Sequence, residues 1–416
     1  MEEVSISKLV NGGQGLGELA DGRKVFVWNA LPGETVQVRV IKKKRSYVEA
    51  IAEEIGQASS ERLAPREENY LATSPWQMMT FAAENKYKAE IVRELFTHEG
   101  VNLPVFGEII TAGGEWHYRN KMEYSFWGDE EGLHLALHRR GSHAKQIVEG
   151  SALAVPALDD GARAVLAELR KLDIRAGDLK TIVVRSSQNG DVVSALYTKV
   201  DDFPKIGLPS GLKGLRVYYS NPKSPASVPT ELLYELGDSV LHDTILGKSF
   251  AYDVESFFQV NLPIYEKALS RIREHCIGDP VDMYAGVGSI GLSVAQKAVE
   301  LVELDPATAK MAQVNAEGDT VDATVIVTST ERALVYITPD RPVIFDPPRA
   351  GLHARVVDHC LAVAPPQIIY LSCNPATQAR DLALLQQAYD ITFFEVYNFF
   401  PRTPHIETLA VLKIRS

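Results

Sequence analysis

Short apolar runs broken by turn residues fill most of the first 250 positions, and beyond Tyr252 strand-like and helix-like patterns alternate. Near the amino terminus, Val4 to Ile6, Arg23 to Trp28, Thr35 to Ile41 and Ser46 to Glu53 read as strands. Asn11-Gly12-Gly13, Asp21-Gly22 and Leu31-Pro32-Gly33 supply the turns between them. They predict a small barrel of roughly five strands over residues 1–56. Phe81, Ile91, Val92, Leu95 and Phe96 fall on one side of a helix from Phe81 to His98, with Gly100 as its C-cap. Strand patterns return at Met122 to Trp127, Leu133 to His138, Thr181 to Arg185, Val192 to Thr198 and Leu215 to Tyr219, interrupted by a helix from Asp159 to Lys171. A central β-rich domain is therefore expected over 57–250, with the 81–98 helix available to pack on the domain that follows.

Over 251–416 the alternation predicts an α/β domain with a doubly wound, Rossmann-like sheet. Pro280 to Tyr284 reads as a strand leading into Gly286-Val287-Gly288-Ser289-Ile290-Gly291 and a helix. Glycines are needed there because a ligand must approach the backbone and the turn into the helix must be tight. Ala298 to Glu303 is a second strand, ending in a carboxylate 17 positions beyond Gly286 that can accept hydrogen bonds from both ribose hydroxyls of an adenosine. Asp305 is the alternative for that role. Nicotinamide cofactors and S-adenosylmethionine both use this arrangement.

Pro342 to Phe345 runs into Asp346-Pro347-Pro348-Arg349, where two prolines stiffen a loop and hold a carboxylate at the carboxyl edge of the sheet. Dehydrogenases have no standard use for such a loop, whereas nucleic-acid methyltransferases commonly carry Asp/Asn-Pro-Pro at the fourth strand. Gln367 to Leu371 reads as a buried parallel strand, and Cys373 follows it at the crevice where open sheets bind ligands. A free cysteine is ordinarily a small core residue. The surrounding motifs give this one a chemical reason to be there.

Composition narrows the setting. With 416 residues, 45% of them hydrophobic, the chain can bury two or three cores. Three cysteines, Cys276, Cys360 and Cys373, form neither a disulfide framework nor a metal-ligand spacing, which suits a reducing interior. His134, His138 and His143 follow no metal-ligand spacing either. No apolar run reaches membrane-spanning length and the start is acidic, so a soluble, cytoplasmic protein without membrane contact is expected. A monomer is the default expectation, which no feature of the sequence decides. A net charge of -11 argues mildly against nucleic acid, but a polyanion meets local patches, and Lys42-Lys43-Lys44-Arg45 is one. That run reads equally as a solvated hairpin end.

Gly13-Gln14-Gly15-Leu16-Gly17, Val25-Phe26-Val27, Leu31-Pro32-Gly33-Glu34 and the basic run resemble a TRAM domain, an OB-like RNA-binding β-barrel module of RNA-modifying enzymes. In such barrels basic side chains track the backbone and aromatics stack on unpaired bases, for which Phe26, Trp28 and Tyr47 are available. Tyr118-Arg119-Asn120-Lys121, Ser256-Phe257-Phe258-Gln259-Val260-Asn261, Asp282-Met283-Tyr284-Ala285-Gly286-Val287-Gly288, Asp346-Pro347-Pro348-Arg349-Ala350-Gly351-Leu352, Ser372-Cys373-Asn374-Pro375 and Pro404-His405-Ile406-Glu407-Thr408 are similar, in this order, to motifs of the RNA uracil-5 methyltransferase family. The resemblance covers nearly the whole chain.

It implies S-adenosylmethionine as methyl donor, contacted by Gln259, Tyr284, Gly286, Gly288, Glu303 and Asp346, with Asp346 also close to the target base. Uracil C5 is too weak a nucleophile to take a methyl group unaided, so a thiolate first adds to C6 and makes C5 enolate-like. Cys373 is the nucleophile and Glu407 the base that removes the C5 proton so that the adduct can eliminate. Entry to such a pocket requires an unstacked base, so the expected target is an unpaired uridine in structured RNA. Ribosomal RNA, 23S in particular, is favoured because a TRAM-like barrel accompanies many ribosomal members, with transfer RNA as the alternative.

The chain departs from the family at two places. Many members hold an iron-sulfur cluster on thiolates, but here Arg66, Ala72, Pro75 and Ser151 stand at the matching positions, so no cluster is expected. Thr328-Ser329-Thr330 replaces an acidic residue near the adenine. Two other classes compete with the methyltransferase. A nicotinamide-dependent oxidoreductase accounts only for the glycine run and Glu303. A noncatalytic RNA-binding protein on the same fold has no use for Cys373 and Glu407 together. A cytosine-5 enzyme also uses a thiol, but the Glu407 context favours uracil.

Overall fold

The computed structural model describes residues 2–172, 174–224 and 226–415. Seven strands form the carboxyl-terminal sheet: β1 (Val281–Met283), β2 (Ala298–Glu303), β3 (Asp322–Val327), β4 (Val343–Phe345), β5 (Gln367–Ser372), β6 (Tyr389–Tyr397) and β7 (Glu407–Ile414). Their order is β3-β2-β1-β4-β5-β7-β6. The first five are mutually parallel, and β7 runs antiparallel between β5 and β6. A dinucleotide-binding sheet has the order 3-2-1-4-5-6. The inserted antiparallel strand separates this domain from that arrangement and removes the structural support for the oxidoreductase reading.

Both faces of this sheet are covered, which is why β4 and β5 read as unbroken apolar runs. Met283, Phe345, Tyr370 and Ala410 point into one core, and Leu301, Ile344, Leu371 and Leu409 into the other. The helix Phe81–His98 covers the first face, as its Ala83, Tyr87, Val92 and Phe96 join that core. Its start is fixed by Thr80, whose hydroxyl accepts from the Ala83 N–H. The helix Leu262–His275 and the hairpin Val240–Ile245/Lys248–Asp253 cover the second face.

The central sheet has seven strands in the order Glu231–Gly237, Gly214–Tyr219, Val192–Thr198, Leu179–Ser186, Lys121–Asp129, Gly132–His138 and Lys145–Ile147. The helix Pro156–Arg170 packs on one face, where Leu158, Val165 and Leu169 meet Tyr124, Ile182 and Leu196.

At the amino terminus the sheet has six strands, in the order Glu2–Ser5, Thr35–Lys43, Tyr47–Gln57, Lys24–Trp28, Gly15–Glu18 and Lys8–Leu9. Gly15–Glu18 is absent from the strands that the sequence pattern predicts, because glycine weakens such a pattern. Close packing requires those glycines: a Cβ at Gly17 would lie 2.3 Å from Val4 Cγ1, and one at Gly15 2.7 Å from Ile6 Cγ2. Lys42 to Arg45 form the exposed end of the hairpin between Thr35–Lys43 and Tyr47–Gln57, with Lys42 paired to Glu49.

Candidate functional site

The crevice forms at the carboxyl ends of β1, β2, β4 and β5, where parallel strands end and helices begin. Leaving β1, Tyr284 takes a left-handed conformation (φ 71°), followed by Gly286 (φ 57°) and Gly288 (φ 84°). A Cβ at Gly288 would lie 2.9 Å from Leu301 Cδ1, so glycine is needed there for both conformation and space. The Gly286 N–H donates to Glu303 Oε2 (2.8 Å) and the Asp305 N–H to Oε1 (2.8 Å), which pins the carboxylate at the end of β2 against the glycine turn. Asp305 is otherwise occupied as an N-cap, accepting from the Thr308 N–H. The Tyr284 hydroxyl is hydrogen-bonded to the side chain of Thr330, which is buried, and burial pushes the phenol up to about 12. Thr330, where an acidic residue was expected from the family, thus helps to hold Tyr284. Gln259 is buried, and its backbone carbonyl accepts from Asn120 Nδ2 of the Tyr118-Arg119-Asn120-Lys121 motif.

Carboxyl groups converge on this crevice. Asp282 on β1 is wholly buried, its Oδ2 accepts from the Gly291 N–H (2.8 Å), and its Oδ1 has no partner among the described residues. Burial first, then Asp346 and Glu303, push it up to about 8 against the pull of that hydrogen bond. Asp346 keeps some surface open, yet its carboxyl is enclosed enough that burial pushes it up to about 7. Two carboxyl groups held above their ordinary range, one with an unpartnered oxygen, suit a cationic ligand. S-adenosylmethionine brings a sulfonium and an ammonium, so these residues fit it. The sequence singled out Glu303 and Asp346 but not Asp282 as an acidic group of the crevice. An Asp at the end of a strand just ahead of a glycine run was the available signal.

Cys373 and Glu407, 34 positions apart, meet through strand register. Ser372 on β5 pairs with Thr408 on β7, so the next antiparallel step sets Cys373 across from Glu407. Thr408 Oγ1 donates to Gln378 Oε1 (2.7 Å) and Gln378 Nε2 to the Tyr370 carbonyl (2.8 Å), which ties both strands to the helix Pro375–Leu385. The Asp346 loop is fastened to the same place: Asn374 Nδ2 and Thr377 Oγ1 donate to the Arg349 carbonyl, and the Leu352 N–H and Tyr370 hydroxyl donate to Asp381. Glu407 is fully buried, and burial together with Asp346 holds its carboxyl well above the usual range, opposed by Arg349. Cys373 is half-buried, and burial, Glu407 and Asp346 push its thiol up to about 12. His405 bonds to Arg349 Nη2 (3.1 Å), and burial with nearby Arg349, Lys88, Arg119 and Arg140 lowers it to about 4, so it is neutral at pH 7.

At the positions where family members carry cluster thiolates, other interactions hold the chain. The Arg66 guanidinium lies 4.2 Å over the Trp116 ring and the Arg66 N–H donates to Gln77 Oε1. The Ser151 N–H donates to Asp159 Oδ2, and the Ala152 N–H to Glu67 Oε1 (2.6 Å). Among the described residues no group of three His, Cys, Asp or Glu side chains is arranged around a metal position. No helix among them is long and apolar enough to cross a membrane.

Comparison with known proteins agrees with this geometry. Residues 238–415 match the tRNA (Uracil-5-)-methyltransferase family and residues 1–52 the TRAM domain. Over residues 238–415 the chain has the domain of the RNA uracil-5 methyltransferase family. It is an S-adenosylmethionine-dependent RNA methyltransferase with an amino-terminal TRAM domain. An RNA methyltransferase of Enterococcus faecalis is 29% identical over 448 aligned positions, covering 99% of this chain and 96% of that protein. One from Thermotoga maritima is 26% identical, covering 99% of each. In fold, the chain matches the tRNA (uracil-54, C5)-methyltransferase of Pyrococcus abyssi, solved with S-adenosyl-L-homocysteine. That match has a TM-score of 0.76 at 22% identity and covers 98% of this chain and 100% of the other.

Proposed function

We propose that this enzyme methylates C5 of a specific unpaired uridine in RNA, with Cys373 adding to C6 and Glu407 removing the C5 proton. The observation that carries the reading is the β5–β7 register, which sets a thiol and a buried carboxyl group across from each other at the mouth of the cofactor crevice. Covalent addition to C6 and proton removal from C5 act on adjacent ring atoms, so the two groups must stand together. S-adenosylmethionine supplies an electrophilic methyl group on its sulfonium. Gln259, Tyr284, Gly286, Gly288 and Glu303 form its cradle, and Asp346 stands between that cradle and the Cys373–Glu407 pair. A carboxyl group that holds its proton tightly, as Glu407 does here, is also a stronger acceptor once deprotonated.

23S ribosomal RNA is the proposed substrate, on the strength of the TRAM domain at the amino terminus. Transfer RNA is the second reading, favoured by the name of the family that residues 238–415 match and by the substrate of the Pyrococcus abyssi enzyme. The proposed setting is the cytoplasm, where the RNA and reduced thiols are found. Mass-spectrometric mapping of 5-methyluridine in total RNA from cells lacking this gene decides between them. Loss at one 23S position supports the first reading, and loss confined to transfer RNA supports the second. No loss of 5-methyluridine in any RNA overturns both.

A further inference from the structure

Cys373 opens into a cavity of about 370 Å³ with walls from distant parts of the chain: Asn11 and Trp28 of the amino-terminal sheet, Arg140 of the central domain, and Arg349 and His405 beside the thiol. Trp28 and Arg140 meet there across the domain boundary. The Arg140 guanidinium lies 3.9 Å from the centre of the indole ring, and its Nε donates to the Leu71 carbonyl. Ring face and carbonyl fix the plane of a side chain that would otherwise sample many rotamers.

No carboxylate pairs with this cation among the described residues, and only burial acts on its proton affinity. Half-burying an unpaired charge is unfavourable until an anion arrives. Its two terminal nitrogens, which have no protein partner among the described residues, form a planar fork that matches a phosphate in bidentate geometry. The charged residues that line the cavity are Arg140 and Arg349, and Asp346 and Glu407, which act on Cys373, lie outside that lining. A local positive mouth on a chain of net charge -11 points to a polyanion at this spot.

We propose that Arg140, stacked on Trp28, grips the RNA phosphate beside the uridine presented to Cys373. The clamp rests on the proposed function and adds to it a defined phosphate contact, made by a pair that exists only when the TRAM and central domains are joined. One face of the guanidinium is taken by the indole and the Nε by a carbonyl, so the fork is aimed before RNA arrives. Less side-chain entropy is then lost on binding.

The test uses the full-length protein and a fluorescent oligouridine of roughly 15 nucleotides, long enough to cross an OB-type surface. Dissociation constants are measured over a range of salt for wild type, Arg140→Gln, Arg140→Lys and Trp28→Leu. In Arg140→Gln we expect Kd to rise about tenfold and the slope of log Kd against log salt to fall by about 0.7, the share of one single-strand phosphate. Arg140→Lys keeps the wild-type slope, because its charge remains. Trp28→Leu keeps the slope but weakens binding several-fold, because the charge is no longer aimed. Wild-type affinity and slope in Arg140→Gln overturn the clamp, as does a Lys variant whose slope falls with that of Gln, which marks a structural role. Should Arg140→Gln fail to fold, the other two variants decide, and wild-type affinity in both overturns the proposal. Methyl transfer from tritiated S-adenosylmethionine to unmodified 23S ribosomal RNA and transfer RNA transcripts is run alongside. A wild-type protein inactive on both sinks the proposed function. An active wild type beside an Arg140→Gln variant of unchanged slope and KM sinks only the clamp.

Discussion

Replacing Asp282 by Asn should stabilise this protein, and by an amount that grows with pH. The Asp282 carboxyl is wholly buried, accepts one backbone hydrogen bond and is held at about 8, against a value of 3.8 when unperturbed. A carboxyl group whose folded pKa is raised binds its proton more tightly in the folded state. Its contribution to stability therefore falls as pH rises from the unfolded value to the folded one. At pH 7 the penalty is about 4 kcal/mol, from roughly three pH units at 1.36 kcal/mol each, and it is insensitive to the folded value as long as that value stays at or above 7. At pH 4.5 the same arithmetic leaves about 1 kcal/mol. Asn preserves the acceptor for the Gly291 N–H, and its amide occupies the place of the protonated, unpartnered Oδ1, so the exchange is close to neutral in acid. The gain of Asp282→Asn over wild type should thus widen by about 3 kcal/mol between pH 4.5 and 7, a shift of roughly 6 to 12 °C in the melting of a domain of this size. Scanning calorimetry of both proteins across that range is the assay. A gain that is flat with pH, or a variant less stable than wild type at pH 7, refutes the reasoning.

Cofactor affinity should also depend on pH. A cation placed against Asp282 and Asp346, held at about 8 and 7, favours their ionised forms. Binding of S-adenosylmethionine near pH 7 should therefore release protons and tighten as pH rises from 6 to 8, more than S-adenosylhomocysteine does. Calorimetry in buffers of different ionisation enthalpy reads this, and equal proton release for the two ligands counts against it. Glu407→Gln should form the covalent RNA adduct but fail to resolve it, leaving an RNA-shifted band on denaturing gels, and rapid turnover by this variant excludes Glu407 as the base. Lys88 is fully buried and donates to Glu84, Asn398 and the Phe400 carbonyl, the strap that leads into Pro404 to Glu407. Lys88→Ala leaves the buried Glu84 carboxylate without its cation and should cost about 3 to 5 kcal/mol by urea denaturation, and a loss under 1 kcal/mol contradicts that. At Gly291, an added Cβ would lie 2.5 Å from Leu301 Cδ2 and 3.0 Å from Asp282 Oδ2, so Gly291→Ala should lower stability by about 1 to 3 kcal/mol. A melting temperature equal to wild type would show that this core yields more easily than its packing suggests.

Local pattern already carried much of this protein. Short apolar runs announced β4 as a strand and β5 as a buried parallel one, the glycine run announced a backbone that a ligand must approach, and periodicity placed the helix at Phe81–His98 with the bounds the structure gives it. Short or glycine-rich strands were not legible. Gly15–Glu18 carries no strand pattern until Val4 and Ile6 are seen to fill the space a Cβ would take, and the Val240–Ile245/Lys248–Asp253 hairpin declares itself only by packing on the carboxyl-terminal core. The identities of Cys373 and Glu407 could be read from their motifs, but their meeting could not. It is decided by an antiparallel strand that pairs residue 372 with 408. The same holds for the raised carboxyl groups of the crevice and for Arg140 on Trp28, 112 positions apart. Patterning along a chain reports what each residue prefers over a few neighbours. Register, burial and charge environment arise from segments brought together at long range, so only the folded molecule determines them.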